Sequence, residues 1–242
     1  MSEVRPTVGT ARGRATVVAT GASRVNMALP HLMGAARYAR ELARLEAAHD
    51  ADEFGSFYDE MRSHATAAVM MSIASLESFC NEHFADAHRH FEPASLEMWK
   101  RIAKDVDRAT LLDKADWFLF FRGKAALDRG RRPTQDVDLL IRLRNALVHF
   151  RPEWSNAQRE HADLSKALGG RFRVPKWLAA EKGVFPMAWA GHGCAEWAVA
   201  SCKRFMEEFE AQAGLPSVVP KWAHQLNTSW KVPTAPRQQD PV

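Results

Sequence analysis

Arg144 and His149, in the run Leu143-Arg144-Asn145-Ala146-Leu147-Val148-His149-Phe150, combine a permanently charged guanidinium with a side chain that carries protons near neutral pH. A guanidinium fork grips phosphate, and a nearby imidazole can move a proton, so the pair is a minimal kit for binding or cleaving RNA. Spacing alone does not establish that chemistry. A chain with 23 Arg and 10 His produces about one Arg-x4-His match by chance, and Arg44 with His49 is a second.

The elements around each match have to separate them. Pro133 opens a helix along which Val137, Leu140, Ile141, Leu147 and Val148 form an apolar stripe, and Arg144 falls on that stripe seven residues after Val137. A buried permanent cation needs an acidic partner or an anionic ligand. Glu77, one helical turn from Asn81 in a mostly small and apolar stretch, is the candidate partner, either as a purely structural pair or as one that also orients a working arginine. Five residues turn a regular helix by about 140°, so Arg144 and His149 converge only if the helix ends near His149, which Pro152 favours, or if a second copy of the chain completes the site. Asn145 and His149, four apart, share a face. The plainer alternative for His149 is a cap on the last helical turn.

Residues 122–151 carry Arg122, Lys124, Arg129, Arg131, Arg132, Arg142, Arg144 and Arg151 against Asp128, Asp136 and Asp138, a local excess that would attract a polyanion or simply form a solvated basic loop. Arg131, Arg132, Arg142 and Arg151 are the candidate RNA contacts. The first 25 residues and the last 29 are also net positive, within a chain of net charge +4.

With 242 residues, 46% of them hydrophobic, the chain can bury a core. Helical spacing runs from Pro30 through Leu32, Ala35, Ala39, Leu42 and Leu45 to about His49. It resumes after Gly55 through Phe57, Met61, Ala65, Ala68, Ser72, Leu76, Phe79 and His83 to about Phe91. Pro93 stops that helix, Ser95 caps a short one through Ala103, and another covers Leu111 to Phe121. A polar helix from about Asn156 to Leu168 ends at Gly169-Gly170, residues 171–190 read as an irregular Trp-rich insertion, and a last helix, with Cys194, Trp197, Ala198, Phe205 and Phe209 on one face, runs from about Gly193 to Gly214. No alternating strand pattern of useful length is present. The expected organisation is all-α: a disordered basic arm over 1–25, a helical domain over 26–213, and a Pro- and Trp-containing tail over 214–242 that forms no regular element, although Trp222 and Trp230 can dock on the body or a partner.

No apolar run reaches membrane-spanning length, and three scattered cysteines, Cys80, Cys194 and Cys202, favour a reducing compartment, so a cytoplasmic location is expected. His83, His88 and His90 lack a recognised metal-ligand spacing, and no metal or cofactor is expected.

Taken together, Arg144-Asn145-Ala146-Leu147-Val148-His149 and the earlier helix with Ile73, Leu76, Glu77, Phe79 and Asn81 resemble the HEPN superfamily, over roughly residues 30–213. The resemblance implies a helical bundle that forms a homodimer with two motifs facing each other across a basic cleft. It further implies metal-independent endoribonuclease chemistry of a toxin or anti-phage kind, with an antitoxin or regulatory protein as a further partner. In that scheme His149 is general base or acid, Arg144 stabilises the phosphorane, Asn145 orients the phosphate or His149, and Glu77 and Asn81 support them. The competing expectation is a non-catalytic HEPN-like module that binds RNA, a nucleotide or a protein. A third is a scaffold that uses the Trp-rich segment and tail.

Overall fold

The computed structural model describes residues 24–49, 55–154, 160–178 and 183–230, and these form an all-helical fold without strands. The helices are α1 (Ala28–Ala48), α2 (Phe57–Ala85), the single turn α3 (Ala87–His90), α4 (Pro93–Asp107), α5 (Leu111–Phe121), α6 (Arg132–Val148), α7 (Ala162–Leu168) and α8 (His192–Ala213). The expected arm falls almost entirely on residues 1–23, outside the described ones.

α2 is the central element and packs against α1, α5, α6 and α8. Its small side chains explain how: Ala65, Ala68, Ser72 and Ser75 are fully buried, as are Ala35, Ala36 and Ala39 on α1, so the two helices approach closely along their length. Larger groups, including Met61, Leu76, Phe118, Leu140, Leu143, Phe205 and Phe209, fill the space where α5, α6 and α8 converge on α2. The apolar faces expected for α1, α2 and α8 are the buried faces. At Gly214 the backbone turns left-handed (φ 71), which terminates α8 in the manner glycine permits.

Some local readings change. α2 breaks at Asp86 rather than continuing to Phe91; α3 restarts at Ala87 for a single turn, and Phe91 after it is buried in the core. Pro93 opens α4 instead of only stopping the preceding helix: proline lacks the N–H that a first turn leaves unpaired. Ser95 therefore lies inside α4, which extends to Asp107. Thr110 caps α5 through a bond from the Asp113 N–H. Pro133 occupies the first turn of α6, which begins one residue earlier at Arg132. Within the insertion, Val184–Ala188 forms a π turn; Phe185, Ala188 and Trp189 are buried.

The tail also differs from expectation. Residues 219–222 form a 3-10 turn, and Val219 and Leu226 are buried against the body. The guanidinium of Arg40 donates to the Asn227 carbonyl, and His192 Nε2 donates to the Thr228 carbonyl at 3.0 Å. Apolar anchors at Val219 and Leu226 explain why a proline-containing segment docks without being a helix.

Gly193, in the first turn of α8, lies where a Cβ would overlap the backbone carbonyl oxygen of Arg173. Replacing it by alanine forces two backbone segments apart, so Gly193→Ala should lower stability by about 1–3 kcal/mol in urea denaturation.

Candidate functional site

Val137, Leu140 and Leu143 are fully buried and fix one face of α6 in the core. Their spacing sets the outlook of the motif: Arg144 is half-buried, Asn145 and His149 are exposed, and Ile141 and Leu147 sit partly buried at the margin. Val148, expected on the buried stripe, is 51% exposed. The helix ends where convergence of the motif requires. His149 has left helical geometry (φ −108, ψ 39), and its N–H donates to the Asn145 carbonyl at 2.9 Å. The ring of His149 is thus presented at the surface. Among the described residues, neither the Arg144 guanidinium nor the His149 imidazole has a hydrogen-bond or ion-pair partner.

The chance match is placed differently. Arg44 donates to Glu41 at 2.8 Å, and His49 stacks on Phe57 with ring centroids 4.0 Å apart. Both its members are engaged in local packing, whereas those of Arg144 and His149 remain available.

Glu77 does not meet Arg144. It accepts from Lys114 Nζ at 3.4 Å, and Asn81 Oδ1 accepts from the same ammonium at 3.4 Å. The one-turn spacing of Glu77 and Asn81 therefore builds a clamp for a cation from α5, and Lys114 is 8% exposed. The signal was present in the sequence: Lys114 lies between Leu111 and Phe118 on the buried face of α5. Arg144 is half-buried and has no such partner among the described residues.

The basic segment separates into groups. Arg122 donates to the Ala213 carbonyl at 3.1 and 3.0 Å and to the His90 carbonyl, capping the end of α8. Arg129 binds Asp116, Arg131 meets Glu208 at 3.3 Å, Arg132 meets Asp136 at 3.7 Å, and Arg151 meets Glu160 at 3.3 Å. Lys124, Arg142 and Arg144 have no such partner among the described residues. Arg142 is exposed and lines a groove with Asp113, Asp138 and Arg129. Arg131 and Arg132 stand at the start of the 17-residue α6, about 25 Å along its axis from His149, so they are not part of one cluster with the motif.

Two residues missed in the sequence organise the ends of α6. Asp136, 1% exposed, accepts from Arg171 at 3.0 Å and from Arg204 at 3.3 Å, besides the contact with Arg132. At the other end, His161 Nε2 donates to the Arg151 carbonyl at 2.8 Å, and its ring stacks on Phe150 at 5.3 Å, which holds the chain as it leaves His149. Neither link has a short-range signature, since the partners come from separate elements.

The remaining titratable groups belong to the core. Burial pushes the thiols of Cys80 and Cys202 up to about 12 and raises that of Cys194 further, which leaves them poor nucleophiles at neutral pH. His83 packs among Phe79, Phe118 and Phe209, and burial, reinforced by the nearby His90, lowers its imidazole to about 4. No group of His, Cys, Asp and Glu suited to a metal ion occurs among the described residues, and no helix there is long and apolar enough to cross a membrane.

The clamp predicts an asymmetry in pairwise energetics. A double-mutant cycle of Glu77→Ala with Lys114→Ala should give a coupling of on the order of 1 kcal/mol in chemical denaturation, whereas Glu77→Ala with Arg144→Ala should be additive within about 0.5 kcal/mol. No family model, curated protein or solved structure matches this chain.

Proposed function

We propose that the chain is a metal-independent endoribonuclease related to the HEPN superfamily, with Arg144, Asn145 and His149 as its working residues. The observation that carries this reading is the pairing of two chemically able side chains, both without partners among the described residues, at the solvent-facing end of one helix. A cation held purely for structure would be expected to have a carboxylate beside it, as Lys114 does.

In the proposed reaction the ribose 2′-oxygen attacks the adjacent phosphorus and the bond to the 5′-oxygen breaks. The products are a 2′,3′-cyclic phosphate and a 5′-hydroxyl. His149 acts as base toward the 2′-hydroxyl proton or as acid toward the leaving 5′-oxygen. Arg144 stabilises charge on the phosphorane, and Asn145 orients the phosphate or the imidazole. The carbonyl-bearing end of α6 is electrically negative, so a phosphate placed there depends on Arg144, with Arg142 and Arg151 as further contacts.

A homodimer is part of the proposal. Val148 within the motif and Phe150 and Trp154 after it are 51%, 47% and 84% exposed, so this end of α6 offers exposed apolar side chains. Pairing two copies through this surface would bury it and bring two motifs together. The same surface supports the second reading, a non-catalytic module that docks a protein partner.

Because the His149 imidazole is exposed and has no partner among the described residues, His149→Ala should leave thermal stability within about 0.5 kcal/mol of wild type. In chelator, cleavage of total RNA should fall at least about 100-fold in that variant and in Arg144→Ala. Equal cleavage by wild type and both variants, or none by any of them, favours the non-catalytic module.

A further inference from the structure

The N-terminal ends of α6 and α8 meet at a cavity of about 860 Å³, within the range typical of small-ligand sites. Arg131, Arg132, Arg171, Arg173 and Arg204 line it, together with Trp197 and Phe172. We propose that this cavity binds a small polyphosphate anion, either an inorganic polyphosphate or the phosphate chain of a nucleoside polyphosphate. The site is at the opposite end of α6 from Arg144 and His149 and does not rest on the ribonuclease reading.

Charge balance is the first support. Asp136 lies beneath the lining and holds Arg132, Arg171 and Arg204, so one carboxylate faces three guanidinium groups. Glu208 offsets Arg131 at 3.3 Å, and Glu196, which accepts from Thr228 at 3.5 Å, is the remaining lining carboxylate. Arg173 is exposed and has no partner among the described residues. Five guanidinium groups against three carboxylates leave a net positive cavity. The partial positive end of α6 adds to it, and the first turn of α6 contains no acidic side chain, whereas the start of α8 is already met by the Glu46 carboxylate. His192 contributes little, since its Nε2 donates to the Thr228 carbonyl and its backbone N–H to Glu46 at 2.6 Å.

Geometry is the second support. Asp136, 1% exposed, fixes the forks of Arg171 and Arg204, so their remaining N–H groups need little reorganisation to engage phosphate oxygens. Trp197, 6% exposed, lines the same cavity, and its indole N–H lacks an acceptor among the described residues. A buried donor without an acceptor is uncommon in a finished core, and this one lies in the side chain that forms the cavity wall. Phe172 lies 5.6 Å from the Trp197 ring and gives the wall an aromatic surface against which a base could rest.

Isothermal titration of the full-length protein with sodium tripolyphosphate and, separately, with ATP and GTP tests the assignment. Binding with a Kd below about 100 µM at 0.1 M salt is expected, weakening as salt rises. Equal affinity for tripolyphosphate and the nucleotides identifies a phosphate-reading site; at least tenfold preference for a nucleotide identifies a nucleoside contribution. Arg173→Ala, chosen because the residue is exposed and unpaired among the described residues, should weaken binding at least tenfold without changing the melting temperature of the free protein. Arg131→Ala should act in the same direction, and His149→Ala should bind as wild type does. Absence of binding by all three compounds at 1 mM, or binding that survives both arginine substitutions unchanged, overturns the proposal. Single-stranded RNA that displaces tripolyphosphate from wild type, while tripolyphosphate itself binds only above 1 mM, also overturns it in favour of a polynucleotide surface.

Discussion

The carboxylate of Asp136 is the constraint on which the arrangement of α6 depends. Taking an ionised group out of water costs several kcal/mol unless charged donors replace the lost hydration, and here the donors come from Arg132 on its own helix, Arg171 after α7 and Arg204 on α8. Three parts of the chain are thereby tied at one point. With Val137, Leu140 and Leu143 immersed in the core just beyond it, α6 has little freedom to rotate, and the direction of every later side chain on the helix follows.

This explains why one helix has two chemically different ends. Its first turn lies among arginines and adds a positive dipole end to an already cationic cavity. Its last turn presents carbonyls, an arginine and an exposed histidine beside apolar side chains. A summed charge over residues 122–151 merges these environments. In space much of that charge is already engaged: Arg122 closes α8, Arg129 serves Asp116, and Arg151 pairs with Glu160. Electrostatic attraction to a polyanion therefore depends on where the uncompensated guanidinium groups lie rather than on how many there are.

The two Arg-x4-His matches show how far spacing alone can be read. Identical intervals place Arg44 and His49 in contact with Glu41 and Phe57, while Arg144 and His149 stay uncommitted at a helix end. The proposed function draws on the latter pair, whose side chains are available for chemistry. Glu77 and Asn81 have a defined role of their own: they hold Lys114 and thereby couple α2 to α5.

Periodicity by itself determined the all-helical class, the buried faces of α1, α2 and α8, and the end of α6 before Pro152, because burial of apolar residues every three or four positions and the backbone limits of proline act locally. It also located the motif. Tertiary structure alone decided which charges meet. The partners of Glu77 and Asp136, the folding of residues 215–230 onto the body, and the separation of Arg131 and Arg132 from His149 all depend on contacts between distant segments. Side-chain ions are selected by distance and desolvation in three dimensions, quantities that a linear interval does not contain.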